Sequence, residues 1–202
     1  MRPRHIGLLA GGALAVVLAL VGFAALVSSR QSPTGTIVTG AASIGGPFAL
    51  TRSDGRAVSE RDFLGKPTAI FFGFTFCPEV CPTTLYELSG LIKELGPEAD
   101  KLNFAFVSVD WGRDGPEELA SYTSAFDSRI QGLSGTEAEI ETVTRAYRVY
   151  YKRVPIEGGD YTIDHTASVY LMDQDGQFVG TLAYGEARDT MLEKLRRLVA
   201  GA

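Results

Sequence analysis

The segment FFGFTFCPEVCPTTL, residues 71–85, ends an apolar run in two cysteines, Cys77 and Cys81, each followed by proline. They are the chain's only cysteines, and their i, i+4 spacing lets both sulfurs face one side of a helical turn. Three chemistries compete for such a pair. A structural disulfide would close a loop of a few residues in a domain large enough to fold without it, so its gain would be small. A redox pair is favoured by a place at the start of a helix, whose positive end promotes ionisation of a thiol. Redox catalysts of thioredoxin type normally carry C-x-x-C, however, and the extra residue here widens the gap between sulfurs, although a disulfide can still close. A metal site is the third, and it requires a further donor from elsewhere in the chain.

Histidine usage bears on that donor. The chain has two histidines, and His5 precedes a long apolar stretch, which leaves His165, in YTIDHTASVYLMD, as the only imidazole beyond it. Taken alone, His165 reads as an ordinary hydrogen-bonded histidine. Its place alters that reading, because it falls just before a strand that opens a hairpin. In a thioredoxin-like fold that loop lies across from the helix start that carries the cysteines. Two thiolates and one imidazole suit Cu(I), which accepts thiolate-rich sites of low coordination number, or Cu(II) with water completing a tetragonal set; zinc usually asks for a fourth protein ligand. Copper is therefore the expected metal. Pro78 and Pro82 restrict the backbone around the sulfurs. Glu79 reads as an exposed loop carboxylate, and Phe71, Phe72, Phe74 and Phe76 as core and pocket lining. Asp164 is expected to point away from its neighbour His165, as adjacent side chains do on an extended segment.

The elements that would position these groups follow from hydrophobic period. Phe48 to Leu50, a turn at Ser53-Asp54-Gly55 and Ala57-Val58 predict a hairpin. TAIFFGF, 68–74, is a continuous apolar run of the kind buried on both faces of a sheet. Pro82 suits a first helical position, and Leu85, Leu88, Leu91, Ile92 and Leu95 keep helical spacing until Gly96-Pro97. NFAFVSVD, 103–110, is a second buried strand, followed by a helix over about 116–127 with Leu119, Tyr122 and Phe126 on one face. Thr136 and Glu139 form a capping box for a helix striped by Ile140, Val143 and Tyr147. TASVYLMD (166–173), an Asp175-Gly176 turn and QFVGTLAY (177–184) predict a second hairpin, and a closing helix over about 188–200 buries Met191, Leu195 and Leu198. A βαβ unit ahead of a ββα unit is an α/β, thioredoxin-like plan with an added N-terminal hairpin and a helical insertion.

At the N-terminus, Ile6 to Val27 is 22 residues without charge or proline. At about 1.5 Å rise per residue such a helix covers the roughly 30 Å hydrocarbon core of a bilayer. Arg2 and Arg4 precede it and Arg30 follows, which keeps residues 1–5 in the cytoplasm and exports the rest. A cleaved signal peptide would have a shorter apolar core and a small-residue cleavage site, so a retained transmembrane anchor over 6–27 is expected, with the soluble domain on the periplasmic side. Residues 28–43, SSRQSPTGTIVTGAAS, read as a linker, and 44–202 as the domain. Three arginines of the chain's 19 basic residues lie in the first thirty with none of its 24 acidic ones, so the remainder carries 16 against 24, a net of −8. That balance argues against nucleic acid as a partner. No phosphate-binding glycine loop and no C-x-x-C-H haem motif is present.

GFTFCPEVCP (73–82) and DHTASVYLMD (164–173) resemble the paired motifs of the Sco (SenC) family of membrane-anchored copper proteins. VSVDWGRDGPEEL (107–119), FDSRIQGLSGT (126–136) and YRVYYKRVP (147–155) extend the likeness over nearly all of 44–200. The resemblance implies a thioredoxin-like fold, copper held by Cys77, Cys81 and His165, and help in assembling the binuclear copper site of cytochrome c oxidase subunit II. It also implies a copper donor protein and a thiol reductant as partners. The alternative it allows is a thiol-disulfide oxidoreductase that reduces the oxidase cysteines through Cys77 and Cys81. Trp111, where the family usually has proline, and Phe76, where histidine is common, depart from the pattern. The loop from Asp110 to Asp114 reads equally as a docking loop or as a solvated acidic one, and Arg145, Arg148, Lys152 and Arg153 as a solvated basic face.

Overall fold

Thr68–Gly73 (β3) is buried at every position, as its uninterrupted apolar sequence requires, because it lies between two strands in the middle of a sheet. The computed structural model describes residues 43–201; the expected span over 6–27 lies outside them, and among the described residues no helix is long and apolar enough to cross a membrane. On one side β3 pairs in parallel with Asn103–Ser108 (β4), Phe71 opposite Phe106. On the other it pairs antiparallel with Val169–Met172 (β8).

The other strands extend this core. Ala49–Arg52 (β1) and Ala57–Ser59 (β2) form the expected N-terminal hairpin, and Ile130–Ser134 (β5) lies between β1 and β4. Phe178–Leu182 (β9) pairs with β8, completing a seven-stranded sheet of order β2-β1-β5-β4-β3-β8-β9. Tyr151–Pro155 (β6) and Tyr161–His165 (β7) pair only with each other, as a separate two-stranded sheet.

Four α-helices lie among the described residues: Val80–Leu95 (α1), Pro116–Thr123 (α2), Glu137–Ala146 (α3) and Arg188–Ala200 (α4). The stripes expected from periodicity are buried, from Leu85 to Leu95 on α1, Ile140 and Val143 on α3, and Met191, Leu195 and Leu198 on α4. Thr136 caps α3 as predicted, its hydroxyl accepting from the Glu139 N–H while the Glu139 carboxylate accepts from the Thr136 N–H at 2.7 Å. The β3–α1–β4 and β8–β9–α4 units give the mixed α/β, thioredoxin-like plan.

Four features depart from expectation. Helix α1 starts at Val80, two residues before Pro82, which is tolerated because the first-turn N–H groups of a helix need no intrahelical partner. Helix α2 ends at Thr123 rather than near 127, with Ala125 and Phe126 continuing only as single turns onto Tyr122 and Thr123. The insertion is not purely helical, since it also supplies β5 to the sheet. It supplies the β6–β7 hairpin as well, whose strands YKRVP and YTIDH mix charge with a proline and so carry no clean alternation. His165 consequently ends a strand instead of occupying a loop.

Candidate metal centre

The chain leaves β3 at Gly73 and reaches Cys77 through the loop Phe74-Thr75-Phe76, whose conformation a buried carboxylate fixes. Asp114 accepts from the Thr75 N–H at 2.8 Å, the Thr75 hydroxyl at 2.6 Å and the Ser108 hydroxyl at 2.6 Å. Cys77 donates its N–H to the Phe74 carbonyl at 3.3 Å, and its sulfur accepts the Cys81 N–H, also at 3.3 Å, at the start of α1. Cys81 is fully buried over Gly73. A Cβ at residue 73 would stand 2.5 Å from the Cys81 sulfur and 2.9 Å from the Phe106 ring, so only glycine leaves room for that sulfur on the sheet.

His165 comes in from the end of β7. Its Nε2 lies 3.4 Å from the Cys81 Sγ and 3.9 Å from the Cys77 Sγ. Nδ1 lies 3.0 Å from the Thr166 carbonyl, which can only accept, so Nδ1 bears a proton, and Nε2, which faces the sulfurs, is the ring atom left to bind a metal. Phe71 and Phe74 wall the imidazole edge to face, with ring centroids 6.0 and 5.7 Å away. Asp164 is exposed, and the imidazole proton goes to Thr166, consistent with neighbours on a strand pointing apart.

The three donor atoms lie within 4.8 Å of one another, with both cysteines free, close enough for one ion to bond all three after small side-chain motions. The thiols are not equivalent. A hydrogen bond from the Cys81 side chain, then others from His165 and the Cys81 N–H, hold Cys77 down at about 4, well below the ordinary thiol range. Burial, then the facing Cys77 sulfur, pushes the Cys81 thiol up. Of the two thiols, Cys77 is thus the one that ionises more readily, and it lies at the positive end of α1.

Other residues singled out in the sequence fall around this centre. Glu79 is exposed and precedes α1 without capping it. Phe71, Phe72 and Phe74 are core, but Phe76 is 62% exposed beside Cys77, with the Arg113 guanidinium 4.7 Å from its ring centroid. Asp110 and Asp114 are not a solvated acidic loop: both are buried. Asp110 accepts from Arg113 Nε at 2.5 Å, Tyr161 Oη at 2.7 Å and Arg153 Nη2 at 3.3 Å. Arg153 thereby leaves the basic face assigned to it, whereas Arg145, Arg148 and Lys152 remain exposed. Sequence reasoning missed Arg113, Asp110 and Tyr161 as a set. The one available signal was the pair of aspartates four apart at the end of an apolar strand, a place where a carboxylate needs partners.

The sequence matches the SCO1/SenC family over residues 37–200. Among curated relatives, "Protein SCO1 homolog 1, mitochondrial" of Arabidopsis thaliana is 40% identical over 164 residues, covering 81% of this chain and 47% of the relative. The human "Protein SCO1 homolog, mitochondrial" is 41% identical over 139 residues, 67% of this chain and 46% of the relative. The chain thus spans about half the length of the curated relatives it matches. Among solved structures, Bradyrhizobium japonicum ScoI with copper bound is 50% identical, with a TM-score of 0.73, over 77% of this chain and 99% of that one. Yeast Sco1 with copper bound is 37% identical, with a TM-score of 0.73, over 79% of this chain and 90% of that one. By a family match that takes in both halves of the donor set, Cys77 with Cys81 and His165, this chain belongs to the SCO1/SenC family.

Proposed function

We propose that this protein is a copper metallochaperone that carries copper on Cys77, Cys81 and His165 and delivers it to the binuclear copper site of cytochrome c oxidase subunit II. The observation that carries the reading is the convergence of two thiols and an imidazole lone pair within 4.8 Å. This donor set has the softness and low coordination number that suit Cu(I). Copper is cargo here, so it must bind firmly and still leave. A half-exposed imidazole beside two buried sulfurs allows an incoming ligand to displace one donor at a time. The apolar stretch 6–27 serves as a membrane anchor that holds the domain on the periplasmic side, where a copper donor protein loads it and a thiol reductant keeps the pair reduced.

Anaerobic Cu(I) titration of the reduced protein tests the first half. One equivalent should bind, and Cys77→Ser, Cys81→Ser and His165→Ala should each weaken it. Mixing the loaded protein with an apo oxidase copper domain tests the second half; retention of all copper by the donor defeats the chaperone reading.

The lowered value of the Cys77 thiol favours a second reading, a thiol-disulfide oxidoreductase that reduces the acceptor's cysteines. In that role Cys77 is the attacking thiolate and Cys81 the resolving thiol, while His165 has no obligatory part. His165→Ala therefore separates the two readings by removing tight copper binding and sparing dithiol exchange.

A further inference from the structure

The β6–β7 hairpin bears one of the three donors yet shares no ladder with the main sheet. His165, the last residue of β7, stands opposite Tyr151 across the ladder. Where the imidazole rests is therefore decided by whatever fastens this hairpin to the rest of the domain, because two strands alone are marginally stable in water.

Ile163 of β7 is buried in the core, and the loop after β4 fastens the two ends of the hairpin. At the far end of β7, Tyr161 donates its hydroxyl to the buried Asp110 at 2.7 Å, and its ring lies under the Arg113 guanidinium at 3.8 Å. Arg113 also donates to the Tyr161 carbonyl at 3.1 Å. Trp111 grips the other strand. Its ring meets Tyr151 edge to face at 6.2 Å, and the Arg153 guanidinium lies 3.9 Å from its centroid. Tyr151 and Arg153 are both on β6, two residues apart and hence on one face of it. One loop thus holds both strands, β7 through Tyr161 and β6 through Trp111, and the β6 contact falls on the residue paired with His165.

We propose that Trp111 and Tyr161 are positioning residues that clamp the β6–β7 hairpin and thereby hold His165 against the sulfur pair. The inference rests on the copper reading above for its consequence, but the clamp itself is a property of the metal-free protein. Each half of the clamp makes a different contribution. Tyr161 supplies a directional hydrogen bond to a carboxylate whose other donors are fixed, and Trp111 supplies a flat surface between Tyr151 and Arg153. Neither touches the donor atoms, so their loss should leave the cysteines in place and free the imidazole.

The test uses the full chain in detergent with Tyr161→Phe, which keeps the ring and removes only the hydroxyl, and Trp111→Ala. In the metal-free state, amide hydrogen exchange over 151–165 should quicken by about tenfold in both variants while 68–73 and 103–108 stay unchanged, a pattern general destabilisation would not give. Trp111 is the chain's one tryptophan, so its emission should shift to the red in Tyr161→Phe as the hairpin loosens. In competition with bicinchoninate, both variants should release Cu(I) more readily, with an affinity about 10–100-fold lower, as is typical when a group that supports a metal ligand is removed. X-ray absorption should show the nitrogen scatterer weakened and the two sulfurs retained. Unchanged exchange over 151–165 in both variants overturns the clamp, and faster exchange with unchanged copper release overturns its role for His165. A wild-type protein that binds no Cu(I) would instead defeat the copper reading, leaving the exchange result to judge the clamp separately.

Discussion

The Nε2 of His165 lies 3.4 Å from the Cys81 sulfur although 84 positions separate the two residues. Their backbones belong to different pieces of the fold: Cys81 to the first turn of α1, which follows β3, and His165 to the end of a hairpin outside the main sheet. Two neighbouring thiols are a local property of the chain, whereas the third donor exists only once the domain has folded. A metal held by all three groups would therefore couple its binding to the folded state.

Replacing the imidazole should expose that coupling. In His165→Ala the two sulfurs keep their places, because Cys77 is held by the Cys81 N–H and Cys81 by the cradle at Gly73. Cu(I) affinity, measured by competition with a chromophoric chelator, should fall by at least the 10–100-fold typical of outer-shell changes. Unfolding free energy should change by no more than about 1 kcal/mol, since the ring is half-exposed. An affinity equal to wild type would mean that the imidazole is not a ligand.

Gly73→Ala tests the cradle. The added methyl would press on the Cys81 sulfur at 2.5 Å and on Phe106 at 2.9 Å, both fully buried, so neither has free space into which to move. Overpacking of this kind costs about 1–3 kcal/mol. Thermal unfolding of the apo variant should begin several degrees lower, and alkylation of Cys81 in the native state should rise as its sulfur is displaced. An unchanged melting temperature would show that the sheet yields there.

Much of this arrangement was legible beforehand, for identifiable reasons. Strands β3 and β4 are buried on both faces and so announce themselves as unbroken apolar runs, and α1, α3 and α4 each hide one face behind a regular stripe. The cysteines could be placed because a buried strand followed by a helix leaves only one junction between them. Hairpin β6–β7 was not legible, because its strands mix apolar, charged and proline residues without alternation, and many of its contacts are with Trp111, Arg113 and Asp110 outside it. Strand β5, with Gly132 and Ser134 among its five residues, is specified by its neighbours on either side more than by its own propensity. Asp110 and Asp114 misled for the same reason: a carboxylate's burial depends on donors that arrive from distant segments.

The unequal thiols fix a pH dependence for the metal-free protein. Cys77 titrates near 4 in the folded state, below the roughly 8.5 of an unperturbed thiol. Its contribution to stability is therefore fully present above the unfolded value and is lost as pH falls through about 4. Cys81 is raised, so its contribution is present below the unfolded value and is lost as pH climbs beyond it. Their sum makes stability rise from pH 4 towards 8.5 and decline above. Urea unfolding across this range, beside Cys77→Ser, should show the acid limb flattened in the variant. Alkylation of Cys77 should proceed at a nearly constant rate from pH 9 to pH 6, and a rate climbing tenfold per pH unit over that interval would contradict the assignment.

Oxidation of the pair should switch metal binding off. A disulfide needs the sulfurs at about 2.05 Å with a dihedral near 90°, so closing one between these two free cysteines would draw the sulfurs together. Once joined, neither sulfur is a thiolate, and the imidazole alone is a weak site for Cu(I). Protein treated with diamide under argon should bind less than a tenth as much Cu(I) as the reduced form, and dithiothreitol followed by desalting should restore one equivalent. The same experiment bears on the oxidoreductase reading. If the acceptor's disulfide oxidises this pair, each catalytic turnover empties the carrier, and copper delivery must follow reduction by another thiol. Full copper binding by the oxidised protein would place the metal on donors other than these cysteines.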